Sequence, residues 1–485
     1  MRQHMLSELA AHIEAPVLGD AQITSITHDT HAITPGALWI AVPGLTQHGI
    51  DYLDDALAAG VSAVASDAHG VALANSAGLP TITLDDVRLG MATLASAFYD
   101  HPDRGLVLCG ITGTNGKTTV AYMVRHILRS SGKSVGMIGT LGTWIDDQNI
   151  PGFRTTPEST DLFRTLADMR DAGVTHVVME VSSHGLALKR VAAMTFDVGV
   201  FTNLTQDHLD FHGSMEHYFA AKSLLFNMTR AAVINIDDQS GIRLAAQLPE
   251  QILATVGASG QWVASKVHSS LETFTSFVLD GPDGEHHEVQ IPVLGSFNVD
   301  NAVTSIAVCS LLEVDVATAI RSLESFSTVP GRFEAVPHSG GGRAYVDYAH
   351  TPDAVGKVLE AIRSAQPRTV ITVIGCGGDR DPSKRFEMGK VASEFSDVVI
   401  VTDDNPRSEN PDTIRAEVMR GALSGNALVH DIGDRRHAIH AALAMSKDGD
   451  VIAVLGKGHE QGQEIAGIIH PFDDREVIIQ ESQHA

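Results

Sequence analysis

Seven consecutive residues carry the most chemistry in this chain: Gly113, Thr114, Asn115, Gly116, Lys117, Thr118 and Thr119. They lie between an apolar run at 106–112 and a stretch whose Val120, Met123, Val124, Ile127 and Leu128 fall on one helical face. A glycine-rich turn that joins a strand to a helix wraps a phosphate with its backbone N–H groups, and the helix N-terminus adds partial positive charge. Lys117 supplies a point charge for the terminal phosphates, and Thr118 offers a hydroxyl to magnesium. The strict phosphate-loop spacing wants glycine where Ile111 stands; Gly110 and Gly113 flank that position instead. An ordinary turn also uses glycine, but does not need the lysine and two threonines together. The turn predicts a nucleoside triphosphate site without naming a reaction.

Other reactive side chains follow at the ends of predicted strands. Glu180 closes an apolar run, and His208 lies just beyond another; doubly wound sheets bind ligands at such strand ends. Lys222 sits on a predicted helix, where composition alone reads it as a solvated surface lysine. An ammonium beside magnesium would be repelled, so a metal role for it needs a change of charge. Asp404, Asn405, Pro406 and Arg407 follow a third apolar run. An arginine fork there can read a carboxylate with paired hydrogen bonds, or it can be a turn residue paired with Glu409. The run from Gly375 to Gly378 resembles a dinucleotide fingerprint, but Arg380 replaces its third glycine and no lone acid marks the strand end, which counts against a dehydrogenase.

The elements that must position these groups alternate between strand and helix. A first block, 1–103, has short apolar strands at 38–42 and 61–65 and a helix at 52–59, and closes on His101-Pro102-Asp103. A second block, 104–331, has strands at 106–112, 177–181, 198–202 and 233–236, a helix at about 216–228, and an antiparallel extension at 263–293. A third block, 332–485, has strands near 370–374, 398–402 and 450–455. The expected class is α/β in three domains: a small N-terminal α/β domain, a central phosphate-loop ATPase-like parallel sheet, and a C-terminal Rossmann-like domain.

Bulk properties narrow the class. A chain of 485 residues needs more than one core. A net charge of −25 argues against a nucleic-acid or acidic-membrane binder, which needs a basic surface. Cys109, Cys309 and Cys376 are too few and too scattered for a disulfide framework or zinc site, which fits a reducing cytoplasm. No signal peptide and no membrane-spanning apolar run is read, so no membrane insertion is expected.

The phosphate turn, Thr112 to Thr119, resembles that of the Mur ligase family, and the likeness extends over nearly the whole chain. The segment around His208 is similar to the family's DHLDxHG element, Gly295 to Asn301 to GxFNxxN, Gly331 to Glu334 to its GR(F/M)E hinge, and Asp347 to Pro352 to DYAHTP. Asp404 to Arg407 resembles the DNPR motif of members that add meso-diaminopimelate. The resemblance implies an ATP-dependent, cytoplasmic ligase of cell-wall precursor synthesis, acting as a monomer on small molecules. Such a ligase joins meso-diaminopimelate to UDP-N-acetylmuramoyl-L-alanyl-D-glutamate through an acyl phosphate. It further implies Lys117, Glu180, His208 and Lys222 as catalytic groups, with Thr118, Glu180, His208 and a CO2-carbamylated Lys222 around magnesium. Residues 113–119, Asn301, Arg332, Asp347 and His350 would hold ATP. Thr30, Gln47, Thr155, Thr156, Ser182 and Arg190 would hold the UDP-muramoyl dipeptide, although Leu188 and His31 depart from the family pattern. Arg380, Asp404, Asn405, Pro406, Arg407, Gly456 and Glu460 would hold the diamino acid. The alternatives are the same reaction with lysine or ornithine, a folylpolyglutamate synthase-like ligase, and an inactive nucleotide-binding homologue.

Overall fold

The computed structural model describes residues 2–44, 46–152, 154–270, 274–282 and 284–483. The chain packs into two compact units. One comprises Met1–Thr112, Gly132–Val200 and Ala220–Ala232; the other comprises Gly113–Ser131, Phe201–Phe219 and Val233–Ala485.

The first unit opens with a five-stranded sheet in the order Val17–Leu18, Thr81–Thr83, Ala63–Ser66, Ala37–Ile40, Ser25–Thr27. The Val17–Leu18 pairing is antiparallel and the other three are parallel. Ala37–Ile40 and Ala63–Ser66 are buried throughout, which is why they read as unbroken apolar runs rather than alternating ones. A second sheet contains, in order, Gln148–Ile150, Gly142–Ile145, Val135–Gly139, His176–Glu180 and Val107–Thr112. The pairs flanking His176–Glu180 are parallel, so Thr112 and Glu180 end their strands at the same edge.

In the second unit the helix Lys117–Ser130 buries all five of the apolar residues expected on one face. The helix expected near 216–228 is α-helical only over Met215–Ser223, and the chain then tightens into a 3₁₀ turn, Leu224–Met228. Residues 263–293 are antiparallel as expected. Among the described residues, however, Val263–Ser270, Phe274–Asp280 and His286–Ile291 form a sheet of their own rather than an extension; 271–273 and 283 lie outside the described residues.

The last third is a six-stranded sheet ordered Glu334–Val336, Arg343–Asp347, Val451–Leu455, Val370–Ile374, Val398–Val401, Leu428–Asp431. Only the Glu334–Val336 edge is antiparallel. Alternate strand residues serve two cores, as the two-residue period of a strand requires. Val370, Val399, Val401 and Ala453 pack against helices Pro352–Ser364, Ser383–Phe395 and Pro411–Ala422, whereas Ile371, Val373, Ile400 and Val454 face Arg435–Met445 and Asp474–Glu481. This doubly wound arrangement puts the turns after four parallel strands, at 348–351, 375–381, 402–409 and 456–461, along one edge. All three cysteines are buried and unbridged. No helix among the described residues is long and apolar enough to cross a membrane.

Candidate active site

The phosphate turn holds its shape through backbone conformation and a tight fit. Gly113 and Gly116 both have positive φ, and a Cβ would lie 1.9 Å from the Thr202 hydroxyl at the first and 2.6 Å from Asn301 Oδ1 at the second. Only glycine fits both constraints. The Thr114 N–H donates to the Asn203 carbonyl at 2.9 Å, and the Asn115 N–H to Asn203 Oδ1 at 2.9 Å. Lys117 folds back across the turn, with Nζ donating to the carbonyls of Gly113 (2.9 Å) and Thr114 (2.8 Å). Thr118 and Thr119 open the helix and are buried.

Later segments of the same unit converge on this turn. Arg332 reaches the Thr118 hydroxyl at 3.4 Å and lies 4.4 Å above the Tyr348 ring; its buried Nε has no hydrogen-bond partner among the described residues. Asp347 accepts from the N–H groups of Phe333 (2.6 Å) and Ala349 (2.7 Å). Burial pushes its carboxyl up against the pull of Arg332 and those donors. Asn301, expected beyond the turn, lies inside the buried face of the helix Ser296–Leu311 and donates to Asn298 at 3.1 Å. His208 and His350 meet at one carboxylate that the sequence reading did not single out. Asp207 Oδ2 is 3.4 Å from His208 Nε2 and 3.7 Å from His350 Nε2. Burial would raise the Asp207 carboxyl, but His350, His208 and Lys384 hold it well below the usual range.

In the first unit a second cluster forms around Glu180. Its carboxylate accepts from the Thr140 N–H (2.8 Å) and hydroxyl (3.1 Å), and Thr140 in turn contacts the Thr155 hydroxyl at 3.0 Å. Thr156 donates to the Glu180 carbonyl at 3.0 Å and accepts from the Ser182 N–H at 2.9 Å. Arg190 joins this network through the Thr156 carbonyl (2.9 Å) and pairs with Glu158 at 2.7 Å. Glu158 also receives Arg154 (2.7 Å) and Arg88 (3.4 Å), so one buried carboxylate carries three guanidinium groups. Thr155, Thr156, Ser182 and Arg190 are thus brought together, while Thr140 and Glu158 were missed because their pairing spans tens of residues. Lys222 is 1 % exposed, which overturns the expectation of a solvated surface lysine. Thr30 lies in the 3₁₀ turn Thr30–Ala32, and Gln47 is exposed and accepts from the Tyr52 hydroxyl at 2.7 Å.

A third cluster forms at the edge of the last sheet. Asp404 and Asn405 are buried, and Gly456 approaches so closely that a Cβ would lie 2.4 Å from Asp404 Oδ2. Asn405 donates to Glu460 at 2.8 Å. Lys457, which the sequence reading passed over, is fully buried between them: its Nζ is 2.9 Å from Asn405 Oδ1, 3.1 Å from Glu460 and 3.7 Å from Asp404. Arg407, just after Pro406, has φ 51°. Its Nη1 donates to the Gly378 carbonyl at 2.6 Å and its Nε lies 3.3 Å from Glu464. The sequence alternative of an Arg407–Glu409 pair does not form, because Glu409 receives Arg385 at 2.8 Å. Arg380 is exposed and lines a cleft of about 450 Å³ with Asp379, Asp381, Ser383 and Leu209.

No group of three or more His, Cys, Asp or Glu side chains among the described residues forms a ready metal cage. A buried lysine fits a metal only as an anion, which is the charge a carbamate would supply.

A phosphate-gripping turn and a doubly wound sheet with charged side chains at its strand ends define a nucleotide-using α/β enzyme. Comparison narrows that class. Residues 22–99 match the Mur ligase family catalytic domain, 111–309 the Mur ligase middle domain, and 331–458 the Mur ligase glutamate ligase domain. The chain is 45% identical to the UDP-N-acetylmuramoyl-L-alanyl-D-glutamate--2,6-diaminopimelate ligase of Streptomyces coelicolor, over 98% of this chain and 95% of that one. The enzyme of the same name from Corynebacterium glutamicum is 42% identical over 98% and 94% of the two chains. A solved structure of a ligase of that name superimposes with a TM-score of 0.68 at 31% identity, covering 96% of each chain. The chain belongs to the Mur ligase family.

Proposed function

We propose that the chain is an ATP-dependent ligase that joins meso-diaminopimelate to UDP-N-acetylmuramoyl-L-alanyl-D-glutamate in the cytoplasm. The observation that carries this reading is the setting of Arg407. Its guanidinium is anchored on the Gly378 carbonyl beside the buried Asp404 and Asn405 and the half-buried Glu460, as a reader of a second carboxylate must be. Lysine has no such group. The names of the relatives at 40–45% identity support the same substrate pair.

ATP binds at residues 113–119, with Asn301, Arg332, Asp347 and His350 contributing. The γ-phosphoryl passes to the D-glutamate side-chain carboxylate and ADP leaves. The diaminopimelate amine then attacks the acyl carbon, loses a proton, and inorganic phosphate departs. Lys117 and Arg332 offset the charge of the transferred group. Thr155, Thr156, Ser182 and Arg190 orient the dipeptide; Thr30 and Gln47 contact the uridine end. Arg380, Gly456 and Glu460 complete the diamino-acid site. Magnesium, when bound, neutralises phosphate charge, and Thr118, Glu180, His208 and carbamylated Lys222 would hold it. The matched family segments support a division into 1–103, 104–331 and 332–485. Unbridged, buried cysteines fit a reducing compartment, and we take the enzyme to act as a monomer.

The test is to incubate the protein with ATP, the UDP-muramoyl dipeptide and a panel of diamino acids, and to weigh the product. A product with meso-diaminopimelate but not lysine or ornithine is expected. Equal use of lysine overturns the specificity, and no product with any amine overturns the ligase reading. Lys222→Ala should lose turnover and regain part of it with short-chain carboxylic acids; full activity without them removes the carbamate.

A further inference from the structure

The segment Gly462–Ile465 and its partner Ile468–Pro471 form a two-stranded hairpin that no part of the proposed mechanism uses. Its edge pairs with Arg407 through backbone hydrogen bonds. The Arg407 N–H donates to the Glu464 carbonyl at 3.0 Å, and the Ala466 N–H donates to the Arg407 carbonyl at 2.8 Å, so the pairing brackets Arg407 on both sides. The Glu464 N–H donates to Asn405 Oδ1 at 2.9 Å, and Gln463 donates to the Asp404 carbonyl at 2.7 Å. The hairpin therefore grips the same turn from Asp404 to Arg407 that carries the proposed recognition.

Arg407 needs such a grip. A non-glycine residue at φ 51° sits in a sparsely populated region and persists only where its surroundings hold it. Its side chain has five donors in a planar fork, and two are already directed. Nη1 is on the Gly378 carbonyl at 2.6 Å, and Nε is 3.3 Å from the Glu464 carboxylate. Together the hydrogen bond and the ion pair restrict the guanidinium plane. Asp379 also interacts electrostatically with this arginine and is held by the Ser408 hydroxyl and N–H.

We propose that Glu464 is a positioning residue for the incoming amino acid: through the hairpin backbone and its carboxylate it sets the plane of Arg407, and with it the discrimination in favour of a distal carboxylate. This rests on the activity proposed above. Glu464 is partly exposed, so its side chain can be altered without opening a core.

The experiment is steady-state kinetics of Glu464→Gln and Glu464→Asp with meso-diaminopimelate, ATP and the UDP-muramoyl dipeptide varied in turn. Glu464→Gln should raise KM for meso-diaminopimelate by about three- to tenfold, with kcat and the other two KM values unchanged. Glu464→Asp, which keeps the charge, should recover most of that loss. In an Arg407→Ala background Glu464→Gln should add nothing, because the group it positions is gone. An unchanged KM for the amine, parallel increases for all three substrates, or full additivity with Arg407→Ala overturns the proposal. A parent enzyme that does not use meso-diaminopimelate overturns the activity itself, whereas a competent parent with an indifferent Glu464→Gln overturns only the role of Glu464.

Discussion

Two turns in the second unit illustrate two ways of presenting a ligand site. The phosphate turn is contiguous: Gly113 to Thr119 supply the glycines, the lysine and the hydroxyls within seven residues. The turn proposed to hold the amino acid is assembled. Asp404 to Arg407 becomes a site only when Gly378, Gly456, Lys457, Glu460 and Glu464 arrive from other segments, and its contacts are mostly made by side chains. The first gains its positive φ from glycine at no steric cost. The second places an arginine there, so its shape depends on neighbours. A contiguous site should therefore fail at the chemistry when it is damaged, and an assembled site should fail in geometry and stability.

The largest expected effect tests the first half of that contrast. Lys117→Met removes the point charge but leaves the glycine turn and the buried helix face. It should lower kcat by about 10³-fold while the melting temperature stays within a few degrees, as checked by phosphate-release kinetics and calorimetry. A variant that keeps its turnover would show that Lys117 only staples the turn through the Gly113 and Thr114 carbonyls.

The next effect tests the second half. Lys457 is fully buried, and its ammonium holds Asn405, Glu460 and Asp404 together. Lys457→Met leaves two carboxylates facing one another without their cation. The expected cost is about 3 kcal/mol of folding stability, together with loss of meso-diaminopimelate binding. Denaturant melts and calorimetric titration check both. If ATP binding falls as far as amine binding, the two turns are not separable in the way proposed.

The same contrast explains what the sequence disclosed. The phosphate turn, the helix behind it and the strands at 106–112, 370–374 and 398–402 were legible because each is a local pattern: glycine spacing, a helical apolar face, or a short apolar run. The roles of Lys457, Glu464, Glu158, Thr140 and Asp207 were not legible, because a lone charged residue gains meaning only from a partner many positions away. Lys222 shows the limit most clearly. Composition alone places a lysine in solvent, the family resemblance places this one at a metal, and the packed structure shows it buried. The expected antiparallel extension at 263–293 erred in a related way. The β-rich, turn-rich pattern located the antiparallel segment but carries no information about which sheet it joins.

The smallest expected effect concerns acid sensitivity beside the assembled turn. His459 follows Gly458 next to Lys457, with its ring 5.0 Å from that of Tyr348. Burial, reinforced by Arg332 and Arg475, lowers its imidazole from 6.5 to about 3. Below pH 6.5 the unfolded chain takes up a proton that the folded chain refuses, so this residue costs nothing above that pH and progressively destabilises the fold as pH falls toward 3. The slope should approach about 1.4 kcal/mol per pH unit. His459→Gln removes the proton uptake and should flatten that limb in urea melts at about pH 7, 6 and 5, while leaving stability at neutral pH nearly unchanged. Parent and variant losing stability in parallel would show that the acid response originates elsewhere.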